Sequence, residues 1–357
     1  MIRILHLFTA ALLLASLASA ADYPTVIRIG YPGVANDNYS PVGTATAGTL
    51  AAKGILEDEF KKEGIKIEWT FFKGAGPALN EALANGLLDF AAGLGDLPAI
   101  VHRAGGITTE VLATNYRGQT TYIVVPNDSP AKELKDLKGK KIAIFKGTNV
   151  SLSWAKILKD QGVQESDFRT LNLDAGTSRS AIATRDVDAY VGGNDVFQLR
   201  NRGVGKIIYG TPGRSPFLGR FSTLNVVDTF EKKYPDVVQR FVNDWVKEAA
   251  WGSKEENRLD VFRWWAKNGQ SWQDYKEDLG SDTLASHLSP LLDAHFYSHF
   301  TSGIKVSLDN KLIRQPFEVK DWVNDTYLKK ALKEQGLETF WSTYDDGGKL
   351  AVKGVVQ

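Results

Sequence analysis

A strand–loop–helix rhythm constrains this chain more than any other feature. Residues 26–30 read as an apolar strand. A loop rich in Gly, Pro, Asn and Ser follows over 31–43, then a helical stretch over 44–63 with Leu50, Ile55, Leu56 and Phe60 on one side. The succession returns twice. Residues 65–72 alternate like a strand and lead through Gly74-Ala75-Gly76-Pro77 into a helix over 78–85, where Pro77 suits the first turn. Residues 88–92 read as a strand that passes through Gly93-Leu94-Gly95-Asp96-Leu97-Pro98 into a helix ending near Arg103, before a strand over 111–116. Three such units in a row predict an open α/β sheet with ligand-facing loops at the strand C-termini.

A second block repeats the pattern from a strand at 121–126 to one at 206–209. Within it, the apolar run 142–145 turns through Lys146-Gly147-Thr148-Asn149, and Leu152, Ala155, Ile157 and Leu158 then recur at helical spacing. Such a strand–turn–helix leaves free N–H groups and a partial positive charge at the turn, a corner suited to an anion. After a strand at 221–227 the chain becomes mostly helical, with apolar periodicity over 237–251, 258–267, 272–279 and 284–300. The simplest architecture is two α/β lobes with two crossings, near 117–122 and 216–224. The first lobe is discontinuous (21–118 and 222–357), and 119–221 form the second. A small ligand fits the cleft where helix N-termini converge.

Residues 1–20 read as an export signal: Arg3, an apolar stretch over 7–17 too short to span a bilayer, and Ala18-Ser19-Ala20 as a cleavage site. Loss of Arg3 with that segment leaves 42 cationic and 42 acidic side chains, so the charge balance points to neither nucleic acid nor an acidic membrane. The chain has no cysteine, which excludes disulfides, thiol catalysis, Cys–metal sites and an N-terminal lipid-modified cysteine.

The motifs occur in a telling order. Ala75-Gly76-Pro77 with Glu81-Ala82-Leu83, Leu88-Asp89-Phe90, Gly95-Asp96-Leu97-Pro98 and Ala104-Gly105-Gly106 come first. Pro126-x-Asp128-Ser129-Pro130, Asp136-Leu137-Lys138-Gly139-Lys140, Lys146-Gly147-Thr148, Val187-Asp188-Ala189-Tyr190-Val191 and Asp195-Val196-Phe197 follow. Together they resemble the periplasmic aliphatic sulfonate-binding proteins of ABC importers, over about residues 25 to 225. The wider group holds receptors for taurine, nitrate, bicarbonate and pyrimidine precursors of thiamine. The resemblance implies a type II periplasmic-binding-protein fold with a helical C-terminal part. It also implies a monomeric periplasmic receptor that captures a sulfonate or sulfate ester, without cofactor or catalysis, and delivers it to an inner-membrane permease. An exported enzyme on the same scaffold is the other class. The family's enzyme relative leans on His and Cys, whereas here the histidines cluster in the C-terminal helices.

The resemblance places ligand contacts at Gly95, Asp96 and Leu97 and at Asn194 and Asp195, and the 33–43 loop, with Asn36 and Tyr39, borders the site. Asp96 also reads as a helix cap, and an ionised carboxylate there would repel a sulfonate. Gly147, Thr148 and Asn149 offer backbone, hydroxyl and amide donors, or simply a tight turn. Arg117 and Arg220 rank first among the arginines, ahead of Arg214, because they lie at the two crossings and a guanidinium matches a sulfonate in fork geometry. Trp154, Tyr190 and Phe221, like Tyr39, suit either an apolar ligand tail or the core. His295 and His299 have chelating spacing, but Phe296 stands where a zinc-protease motif needs Glu, so no metal is expected. No dinucleotide fingerprint and no Gly-x-Ser-x-Gly elbow is present.

Overall fold

The computed structural model describes residues 23–33 and 44–356. The export signal, Asn36 and Tyr39 lie outside the described residues. Two five-stranded sheets carry the fold. The first contains β1 (Val26–Tyr31), β2 (Lys66–Phe71), β3 (Phe90–Gly95), β4 (Thr109–Gln119) and β10 (Arg220–Val227), ordered β2-β1-β3-β10-β4. The second contains β5 (Tyr122–Pro126), β6 (Lys141–Ile144), β7 (Arg169–Asn172), β8 (Ala189–Gly192) and β9 (Gly205–Gly210), ordered β7-β6-β8-β5-β9. The two sheets share one plan. Three parallel strands pair in the same order, and the strand that has crossed from the other lobe runs antiparallel between the last two. A hairpin of β11 (Thr343–Tyr344) and β12 (Leu350–Val352) lies near the C-terminus.

The crossings run side by side, since Arg220 at the start of β10 pairs with Gln119 at the end of β4. β3 is buried at every position, as a central strand covered on both faces requires. One face of the first sheet packs on the Pro235–Ser253 helix through Phe241 and Trp245, which explains why the helical C-terminal part returns to the first lobe. The other face packs on the Asp96–Ala104 and Ala294–Asp309 helices. Leu152, from the second lobe's Asn149–Asp160 helix, is fully buried in that same cluster with Ile100 and Phe300. The lobes therefore share core as well as a cleft.

The helical stretches depart from simple periodicity where backbone chemistry demands it. Residues 44–63 break at Gly54, whose φ of 66° ends the Ala45–Lys53 helix. Residues 284–300 divide into Leu284–Leu288 and Ala294–Asp309. Pro290 lacks an N–H and disfavours helical backbone at Ser289, and Asp293 caps the second helix by accepting from the Phe296 N–H. Trp154, Tyr190 and Phe221 are each about 1–2% exposed and belong to the core.

Candidate ligand site between the lobes

A cavity of about 200 Å³ opens beside the hinge, between the Gly93–Gly95 end of β3 and the Thr148–Asn149 turn. It is below the ~300–1,000 Å³ usual for drug-sized ligands and suits a small solute. Three helices begin at its wall: Ala45–Lys53 after Thr44, Ala75–Ala84 after Gly74, and Asn149–Asp160 after Thr148. None of the three has a side-chain cap, and none has an acidic residue in its first turn. Several helices elsewhere are capped by Asp174, Ser271, Thr283 or Asp293. Asn115 takes the Ala47 N–H and backbone carbonyls take those of Ala75 and Ser151; the positive dipole ends and the other first-turn N–H groups at the cavity have no capping side chain among the described residues, which suits an anion.

Backbone strain marks the same spots. Ala45 and Ala75, the first residues of two of these helices, adopt φ of 63° and 52°. A side chain in that region costs about 1–3 kcal/mol, and such strain gathers at ligand clamps. Ala75→Gly is expected to stabilise the protein by about 1 kcal/mol in urea unfolding, the relief exceeding the entropy cost of glycine. An unchanged or lower midpoint would show that Ala75 is not strained.

Among the described residues that line the cavity, Arg220 is the only charged one. Its Nη1 donates to Asn149 Oδ1 at 3.2 Å, its Nη2 donates to the Thr120 carbonyl, and its Nε has no partner among the described residues. Burial pushes the guanidinium below its usual pKa, opposed by Asp96, Asp278 and Asp195. Asn149 Nδ2 reaches Gln119 Oε1 at 3.3 Å, which ties the second lobe's turn to the hinge. Asn115 donates to Ser222 Oγ and accepts from the Ala47 N–H, holding the first helix in place. Tyr31 OH accepts from the Thr44 N–H at 3.0 Å. Gly95 is required by close approach, since a Cβ there would lie 2.9 Å from the Asn149 side chain.

The structure brings Gly95, Thr148, Asn149 and Arg220 together here, and Asn194 lines a smaller cavity next door. It places the other candidates elsewhere. Asp96 is 1% exposed and turns inward, accepting from the Leu97 N–H at 2.8 Å, the Phe221 N–H at 3.3 Å and His299 Nε2 at 2.9 Å. Burial drives His299 to about 3, with the Lys156 charge adding and Asp96 opposing, so a neutral imidazole donates to the carboxylate. Leu97 is core. Gly147 is a turn residue with φ of 76°. Asp195 binds Arg179 at 2.8 Å and Tyr190 OH at 2.9 Å. Arg117 pairs with Asp293 at 2.7 Å, both side chains about 95% buried. It lines a separate cleft of about 300 Å³ with Phe221 and Tyr344, while Arg220 and Ser222, the neighbours of Phe221 along β10, face the first cavity. Arg214, exposed, donates to the Gly210 carbonyl. Sequence reasoning passed over Thr44, Asn115, Gln119 and Ser222. The one signal available was the absence of acid from helix starts at 44 and 75.

Known proteins resemble this chain in sequence and in fold. Residues 57–243 match the family model described as NMT1/THI5 like. A Bacillus subtilis (strain 168) protein named as an aliphatic sulfonates-binding protein is 28% identical over 287 residues, covering 79% of this chain and 83% of the relative. A solved structure from Methylobacillus flagellatus KT, titled as a periplasmic sulfonate-binding protein, superposes with a TM-score of 0.78 at 29% identity, covering 90% of this chain and 97% of that one. An alkanesulfonate-binding protein of Xanthomonas axonopodis pv. citri, bound to MOPS, shares the fold with a TM-score of 0.70 at 23% identity, covering 85% and 99%. The two sheets, paired crossings and shared plan are the two-lobed, type II periplasmic-binding-protein fold. With more than half of its length matched by the family model, the chain belongs to the NMT1/THI5-like family.

Proposed function

We propose that this protein is the periplasmic solute-binding component of an ABC importer and captures a small organic sulfonate or sulfate ester between its lobes. One observation carries the reading: three helices from both lobes begin at one small cavity, without N-cap side-chain bonds and free of acid in their first turns, beside a half-buried arginine. A sulfonate presents three oxygens, enough to meet donors from several directions. Each helix end supplies about 0.3–1 kcal/mol, up to about 2 when partly buried. A hydrogen bond to a charged group adds about 1.5–3 kcal/mol. Together these approach the ~8 kcal/mol of micromolar affinity. The names of the Bacillus and Methylobacillus relatives support sulfonate over other anions.

Binding without turnover fits the lining, which has no histidine and no acid among the described residues. Ser222 Oγ accepts from Asn115 and has no base beside it among the described lining residues. Among the described residues no helix is long and apolar enough to cross a membrane, and no group of His, Asp and Glu suits a metal. In this reading the 1–20 segment exports the chain, residues 119–221 form the second lobe, and the receptor acts as a monomer that hands solute to a permease. Calorimetric titration with propanesulfonate, taurine, nitrate and a thiamine pyrimidine precursor tests it. A sulfonate is expected to bind at micromolar concentration or below and to be recovered unchanged. Binding of the pyrimidine alone, or of none of the four, would overturn the reading.

A further inference from the structure

The cleft on the other side of β10 holds a second set of unused donors. Its volume of about 300 Å³ is at the lower end of the ~300–1,000 Å³ range of small-molecule sites. The segment between β9 and β10 forms one wall, through Pro212, Arg214 and Pro216. His295, with Tyr344 and Gly348 of the C-terminal hairpin, contributes to the other.

Two buried polar side chains in this lining have atoms without partners. Arg117 is 3% exposed; its Nη2 donates to Asp293 at 2.7 Å, and its Nη1 has no hydrogen-bond partner among the described residues. His295 is 6% exposed, and its Nδ1 has none there either. Both groups pack on Phe221. Arg117 Cζ lies 5.5 Å from that ring's centroid, and the His295 ring meets it edge-on at 5.6 Å. Burial, with the Arg117 charge adding, lowers His295 to about 4, so at pH 7 the neutral ring has one N–H to donate. The acids at the cleft are already engaged. Asp293 accepts from Arg117 and from the Phe296 and Tyr344 N–H groups, and Asp282 pairs with His287 at 3.3 Å. A buried donor without an acceptor is destabilising, so the two N–H groups suit an acceptor from outside the chain.

The donor set selects the kind of acceptor. Two N–H groups match the two oxygens of a planar carboxylate, whereas a sulfonate brings a third oxygen. The helices that begin nearby, Leu284–Leu288 and Ala294–Asp309, are capped by Thr283 and Asp293, unlike those at the first cavity. The Tyr344 ring and the two prolines offer flat apolar surface for a ring. Gly348, with φ of 77°, keeps the space open, since a Cβ there would lie 2.7 Å from Pro216 and 3.1 Å from the His295 ring.

We propose that this cleft is a second ligand site, in which Arg117 Nη1 and His295 hold the carboxylate of a small aromatic acid whose ring packs on Tyr344 and the prolines. Arg214, exposed at the same cleft, adds positive charge. The site stands apart from the sulfonate reading, because β10 separates it from the cavity that Arg220 lines.

Titration calorimetry of the full-length protein with benzoate and its neutral isostere benzamide tests this, with and without saturating propanesulfonate. Benzoate is expected to bind below about 1 mM and about tenfold more tightly than benzamide. Its affinity should stay within about threefold when propanesulfonate is present, as for independent sites. His295→Phe should weaken benzoate about fivefold and leave propanesulfonate unchanged. Arg117→Lys keeps a charge for Asp293 but loses the second arm, and should weaken benzoate more. In the unaltered protein labelled with nitrogen-15 histidine, benzoate should shift the ring nitrogens of His295 and leave those of His102 in place, which locates the ligand even if the Arg117 variant misfolds. Absence of benzoate binding would overturn the proposal and leave the sulfonate reading intact. So would benzamide binding equally well, displacement of benzoate by propanesulfonate, or an unmoved His295 ring.

Discussion

Arg220→Gln is expected to lower sulfonate affinity about 100-fold, equivalent to about 2.7 kcal/mol. The guanidinium is the only charged group among the described lining residues, and it holds the second lobe's helix turn and the hinge through Asn149 Oδ1 and the Thr120 carbonyl. Removing it takes a charge-assisted bond from the ligand and loosens the Asn149 turn that aims a helix end at the same cavity. Arg220→Lys restores charge but not the fork, so it should recover only part of the loss. Calorimetry gives the affinities, and thermal melting of the unliganded variants separates misfolding from lost recognition. An Arg220→Gln protein that folds normally and binds within threefold of the unaltered one would remove Arg220 from the site.

The second large effect concerns stability. Lys156 lies on the helix that begins at Asn149, is 7% exposed, and its Nζ has no hydrogen-bond partner among the described residues. Burial lowers its pKa from 10.5 to about 8, with Asp96 opposing. The groups in electrostatic reach are Asp96 at the start of the Asp96–Ala104 helix and His295 and His299 on the Ala294–Asp309 helix; burial lowers both imidazoles, to about 4 and about 3. The sign follows from linkage. Below pH 8 both folded and unfolded states hold the proton, and folding bears the full cost of burying the charge, about 3 kcal/mol. Between about 8 and 10.5 the unfolded chain binds more protons than the folded one, so this cost fades as pH rises. Lys156→Met should therefore stabilise the protein by up to about 3 kcal/mol at pH 7, and the advantage should shrink through that window. Urea unfolding at pH 7 and pH 9.5 measures it. A difference that is absent, or constant with pH, would mean that the amine is solvated.

Much of this organisation is legible in the residues, and what is not has a physical cause. The strands announce themselves by apolar runs, and the paired crossings follow from two similar α/β blocks in one chain. The Gly147-Thr148-Asn149 turn is readable because a strand, a glycine and a helix start are contiguous. Arg117 and Arg220 look alike as hinge residues. Only the partner decides between them: Asp293, 176 residues away, pairs with Arg117, whereas among the described residues no carboxylate forms a salt bridge with Arg220. Asp96 likewise looks like a site residue until His299, 203 residues on, turns it inward. The broken helix at 284–300 was written in Ser289-Pro290, where local chemistry overrides apolar spacing.

The central claim is that an anion sits where helix ends from both lobes meet Arg220. A crystal structure of the propanesulfonate complex tests it most directly. The account predicts sulfonate oxygens at about 2.7–3.2 Å from the backbone N–H groups of Gly76 and Asn149 and from the Arg220 guanidinium. A sulfonate found instead beside Arg117 and Tyr344, on the other side of β10, with the Gly95–Asn149 cavity holding only water, would contradict it.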